Sequence, residues 1–131
     1  MSKTRRIDHN PKDVFIETLV KTVNVTESFP LQVTLVVGGT IISGKLISGK
    51  EWSEENAKLY DSIIPSFAKL LRKFGDKWYG DIAKEATEYE MIHLKDAKIQ
   101  FGSSLIDLKF WRGRIRSIDG FAFGELEIKN T

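Results

Sequence analysis

Apolar and polar residues alternate most clearly over residues 31–48, LQVTLVVGGTIISGKLIS. Leu31, Val33, Leu35 and Val37 alternate with Gln32, Thr34 and Val36, the period-two signature of a half-buried strand. Gly38-Gly39 follows. A type I′ turn needs positive φ at both central residues, which glycine adopts at no steric cost, so a tight hairpin is predicted. Thr40, Ile41 and Ile42 resume the β-branched run, and Gly44 interrupts it before Lys45, Leu46 and Ile47. An isolated glycine in a strand marks a bend or a close backbone approach, and a bent hairpin is how small barrels turn their corners.

Helical spacing precedes this hairpin. Phe15, Ile16, Leu19, Val20 and Val23 fall on one face, and Asn10 followed by Pro11 reads as an N-cap and first helical position. The pattern predicts a helix over residues 11–23 lying on the sheet. Residues 1–9 are polar and read as a flexible N-terminus. A second helical region spans 51–88, with Ser53 as its cap. Within it, Tyr60, Ile63, Ile64, Phe67, Leu70, Leu71 and Phe74 recur at spacings of three and four, and Gly75 stands at a C′ position. Pro65 leaves two readings, one kinked helix or two short ones. Asp76 is placed to cap a further stretch with Trp78, Tyr79, Ile82, Ala83 and Ala86 on one face. This insertion covers a barrel end or binds a partner; in the second case Trp78 and Tyr79 are its anchors.

Strand patterning returns at Met91-Ile92-His93-Leu94, with a turn or bulge at Asp96-Ala97 before Lys98-Ile99-Gln100-Phe101. Gly102-Ser103-Ser104 reads as a loop. Residues 105–117 form one long strand or two broken at Gly113. Asp119-Gly120 signals a hairpin into a last strand over 121–128, a candidate pairing edge. The expected fold is α+β: a small, strongly bent antiparallel β-barrel of the Sm/SH3 kind, with an N-terminal helix and a helical insertion between strands. The 131 residues are read as a single domain.

Composition narrows the function classes. The chain has no cysteine, which removes disulfides, thiolate metal sites and a cysteine nucleophile. A net charge of +2 does not by itself argue for nucleic acid. No run approaches the roughly 20 apolar residues of a membrane helix. His9 lies in the flexible terminus, and His93, between Ile92 and Leu94, reads as a surface or rim position. Metal-spaced histidines and nucleophile motifs are lacking, and Gly38-Gly39 lacks the following helix of a phosphate loop. Asp96 and Asp119 sit where turns favour aspartate. The expectation is a non-enzyme without cofactor or metal. The most informative charges are Arg112, Arg114 and Arg116, which on a strand alternate onto one face about 7 Å apart beside Trp111. Such a ladder either pairs with Glu125 and Glu127 across the Asp119-Gly120 turn, or binds an acidic protein surface or a nucleic-acid backbone.

Gly38, Gly39 and Gly44, the Leu94-Lys95-Asp96-Ala97 segment and Arg112-Gly113 give a pattern that resembles the Sm-like barrel, which implies RNA binding as one reading and oligomerisation through strand edges. A second resemblance is sharper. Three stretches resemble the gas vesicle accessory protein GvpU family: Phe29-Pro30-Leu31 through Ile41-Ile42-Ser43-Gly44 to Ile47-Ser48; Ile92-His93-Leu94-Lys95 through Ala97-Lys98-Ile99; and Phe110-Trp111-Arg112-Gly113 through Ile118-Asp119-Gly120-Phe121 to Gly124. This resemblance implies a non-enzymatic cytoplasmic protein that acts on gas vesicles, in assembly or clustering, through the vesicle shell or other accessory proteins. The aromatic-rich helical insertion and the absence of a basic, serine-rich tail depart from the family pattern.

Overall fold

The computed structural model describes residues 11–26, 31–81 and 88–125. The first helix, α1, runs Val14–Thr26. It starts later than expected because Asp13, rather than Asn10, caps it: Asp13 Oδ1 accepts from the backbone N–H groups of Phe15 (2.8 Å) and Ile16 (3.1 Å). Asn10 and the flexible N-terminus expected over 1–9 lie outside the described residues.

Strands β1 (Leu31–Val37) and β2 (Thr40–Ile47) form the expected hairpin. Gly38 and Gly39 have φ of 55° and 81°, the left-handed pair that a type I′ turn demands. Gly44 is also placed by necessity. A Cβ there would lie 3.1 Å from Leu94 Cβ and from the Lys95 carbonyl oxygen, where the β2 register shifts against its neighbour. That neighbour, β3 (Met91–Phe101), passes unbroken through Asp96, whose φ of 50° marks the bulge. A tight turn at Gly102-Ser103 leads into β4 (Ser104–Arg114), a 3-10 turn covers Ile115–Ser117, and β5 (Gly120–Phe123) ends the sheet.

All pairings are antiparallel, and the strand order is β4-β3-β2-β1-β5. The sheet is open, with β4 and β5 as its edges, so the closed barrel expected from the sequence is corrected to a five-stranded antiparallel sheet with helices. Asp119-Gly120 is not a hairpin. β5 pairs with β1, far from β4, and Asp119 instead accepts from Gly38 N–H through Oδ2 at 2.9 Å and donates its own N–H to Val36 O at 2.7 Å.

Helices cover both faces. Paired residues share a face, so Val33, Leu35, Ile42, Leu46 and Leu94 lie together with Phe121 and Phe123 of β5. On this side lies α1, which buries Ile16, Val20 and Val23 in the same core cluster and sets Phe15 edge-on to both phenylalanines. On the opposite face lie Ile47, His93 and Arg112. That face receives α2 (Gly49–Tyr60) and α3 (Pro65–Tyr79), joined through Lys95–Glu51 at 2.8 Å and the Tyr79–His93 ring contact. Two covered faces explain why Ile92, His93 and Leu94 are all buried, although alternation alone would expose one of them.

Pro65 resolves as two helices, with the proline in the first turn of α3 and Ile64 outside the helical region before it. Three expectations in this region are corrected. Ser48, not Ser53, caps α2, accepting from Glu51 N–H at 3.0 Å, while Ser53 is buried mid-helix. Gly75 does not end a helix: it lies inside α3, and a Cβ there would be 2.7 Å from Ser53 Cβ, so it permits the close approach of the two helices. Asp76 caps no new helix, being inside α3 itself. Ile82, Ala83 and Ala86 lie outside the described residues.

Candidate interaction surface

Arg112 is the organising side chain of the α2–α3 face. Its backbone sits opposite His93 on β3, so both side chains leave the sheet on the same side. Arg112 Nε donates to His93 Nε2 at 3.1 Å. Its guanidinium lies over the rings of Trp52 (5.8 Å to the centroid) and Phe74 (5.5 Å). Trp52 comes from α2 and Phe74 from α3, so the cation joins three elements. With Leu70 and Leu71 these residues line a groove of about 310 Å³, apolar except at the arginine.

His93, which holds Arg112 from the sheet, is 1% exposed, which corrects the surface position expected from alternation. Trp52 (5.4 Å) and Tyr79 (5.2 Å) flank its ring. Because Nε2 accepts from Arg112, the proton belongs on Nδ1, which is buried without a hydrogen-bond partner, as is Trp52 Nε1. Burial, reinforced by the Arg112 charge, lowers the His93 pKa to about 3. A sealed, neutral imidazole of this kind reaches no substrate and is no general base near neutrality. Among the described residues no group of three His, Cys, Asp or Glu side chains could hold a metal ion.

The arginine ladder does not form as expected. Arg112 and Arg114 lie on β4, but Arg116 is in the 3-10 turn, where the chain leaves the strand, and its Nε is 3.4 Å from Glu90 Oε2. Glu90 in turn holds the half-buried Lys12 at 3.0 Å, which keeps the Glu90 carboxyl below its ordinary range. The expected partner Glu125 is bound by Lys98 at 3.1 Å, and Glu127 lies outside the described residues. Trp111 is on the other face from Arg112, against the core and folded over Gly113, where an added Cβ would collide with the indole. Nor do Trp78 and Tyr79 share a face: Trp78 is 57% exposed, whereas Tyr79 is buried against Gly49. Sequence reasoning missed Trp52 and Phe74 as partners of Arg112. The Ser48-Gly49-Lys50-Glu51 capping pattern was the available signal for where α2 starts, and hence for the facing of Trp52.

Two further apolar regions are open. Phe101, Leu105, Ile106 and Leu108 are exposed along the β3–β4 hairpin and the β4 edge. At the other edge Phe15, Phe121 and Phe123 form an edge-to-face cluster with centroids 5.1–6.1 Å apart. No helix among the described residues is long and apolar enough to cross a membrane.

A family model described as gas vesicle protein GvpU-like matches residues 13–126. The chain belongs to this GvpU-like family. It is a gas vesicle accessory family and not a known enzyme family. No curated protein and no solved structure matches the chain. The matched span contains the described elements from α1 to β5, including the aromatic-rich helical region.

Proposed function

We propose that this GvpU-like chain is a non-enzymatic cytoplasmic accessory protein that assists assembly or clustering of gas vesicles through protein–protein contacts, as a homo-oligomer. The observation that carries this reading is the β4 edge, where Phe101, Leu105, Ile106 and Leu108 stand exposed beside strand backbone that pairs with no further strand among the described residues. Exposed edges and contiguous apolar patches invite pairing with another chain. In this proposal Arg112 and Arg114 of β4, with exposed Trp78, meet an acidic face of the vesicle shell or of another copy; Trp111, Arg116 and Tyr79 set the geometry around them.

The test adds purified protein to isolated gas vesicles and follows clustering by light scattering and microscopy. Clustering is expected, together with its loss in the double variant Ile106→Glu, Leu108→Glu at unchanged melting temperature. No association with vesicles at low salt refutes the reading. RNA binding whose logarithm falls with the logarithm of salt concentration at a slope of about one per phosphate contact, in the absence of vesicle association, replaces it with the Sm-like RNA-binding alternative.

A further inference from the structure

The α3 helix carries two apolar faces. Ala68, Gly75 and Tyr79 are buried. Phe67, Leu70, Leu71, Phe74 and Trp78 form a separate stripe at i, i+3, i+4, i+7 and i+11. Leu70 is 60% exposed and Phe67 38%. From Phe67 to Trp78 such a stripe runs for about 17 Å of the helix, longer than a small ligand needs. The groove between this stripe, Trp52 and Arg112 continues it inward.

Cations border the stripe on both sides. Lys73 and Lys77 stand three residues after Leu70 and Phe74, and so beside them on the helix surface. Arg112 closes the other side. It is held in place by His93 and two aromatic rings while the Nη groups of its fork remain free among the described residues. A pre-positioned guanidinium binds a carboxylate bidentately with little further ordering. The nearby acids are already engaged: Glu51 with Lys95, Glu54 and Asp61 with Arg72, and Glu55 with Lys58.

We propose that the Phe67–Leu70–Leu71–Phe74 stripe and its groove dock an amphipathic helix of a protein partner, with bulky apolar anchors on one face and Asp or Glu on both flanks, one carboxylate pairing with Arg112. The charge pattern selects this occupant: an apolar helix flanked by lysines would meet cations on both sides. The inference rests on the protein-contact reading above and names the surface and the partner chemistry for it. Its test needs no vesicle, so the two fail separately.

The probe is a synthetic helical peptide of about 15 residues, matched to α3 in length, with leucines at i, i+3, i+4 and i+7 and glutamates on the flanks. Its counterpart carries lysine at every glutamate. Isotope-labelled full-length protein is titrated with each and followed by NMR. Saturable shifts at the Trp52 indole, Leu70, Leu71 and Phe74 are expected with the acidic peptide, at an affinity about tenfold or more above that of the lysine peptide. Leu70→Glu, at a solvent-facing position that leaves the fold intact, is expected to abolish them, and Arg112→Gln to weaken binding about tenfold. If Arg112→Gln fails to fold, Lys73→Glu together with Lys77→Glu supplies the charge arm. Four results overturn the proposal: no saturable shifts; equal binding of the two peptides; shifts centred on Phe101, Leu105 and Ile106 instead; or a dimer in free protein that Leu70→Glu dissociates, which makes a second copy the occupant.

Discussion

Acidification from pH 7.5 to 5 should destabilise this protein through a single side chain. His93 has a folded-state pKa of about 3 against an ordinary value of 6.5, because it is buried and faces the Arg112 guanidinium. The unfolded chain therefore binds a proton in this range that the folded one refuses. Stability is fully present above pH 6.5 and falls as the pH drops toward 3, by about 1.4 kcal/mol per unit once well below 6.5. Between pH 7.5 and 5 the loss is about 2 kcal/mol. Carboxyls whose pKa values are depressed, Asp61 beside Arg72 and Glu90 beside Lys12, act the same way, but only below their ordinary values of 3.8 and 4.5. The window above pH 5 isolates the imidazole. Urea unfolding in a His9→Gln background should show the midpoint dropping by about 1 M from pH 7.5 to 5 at constant slope. His93→Gln in the same background should flatten that dependence. The ring protons of His93 in the folded protein should not titrate down to pH 5. A His93 signal that titrates near 6.5, or a midpoint unchanged between pH 7.5 and 5, would falsify the sealed neutral imidazole.

Other substitutions probe single contacts. Gly113→Ala should cost about 1–3 kcal/mol in urea unfolding, since the new Cβ drives the Trp111 indole from its seat, and tryptophan fluorescence should shift with it. Asn24→Ala should cost about 1–3 kcal/mol, because Asn24 is buried at 3% exposure, donates to Val20 O and accepts from Gly49 N–H at 2.9 Å; an unchanged melting temperature would refute that link between α1 and α2. Asp119→Ala removes an exposed acceptor from the Gly38 N–H and should cost only about 1 kcal/mol, measured the same way.

The resemblance of three β-rich stretches to GvpU pointed to the family that the match over 13–126 establishes, and it came from strands that are legible locally. The sequence by itself determined the elements whose causes are short-range. Gly38-Gly39 must turn, because left-handed φ at two successive positions favours glycine. Pro65 must interrupt the helical run, by a kink or a break, since it restricts Ile64 and donates no hydrogen bond. Asp96-Ala97 must turn or bulge, and its pairing opposite Gly44 makes it a bulge.

Tertiary structure decided what covers each face and which strand meets which. Periodicity assigns residues to faces but does not say whether a face is solvated. His93 reads as exposed until α2 and α3 cover it, and Gly75 reads as a helix end until Ser53 requires a close approach. Asp119-Gly120 carries the same local signal whether it reverses a strand or accepts a hydrogen bond from another turn. The pairing of Phe123 with Val33, far away in sequence, selects the second outcome. Arg112, Arg114 and Arg116 would share a face only on a continuous strand. Burial of Ile115 and its N–H bond to the Glu90 carbonyl turn the chain before Arg116, so a packing demand at one residue redirected the charge beside it.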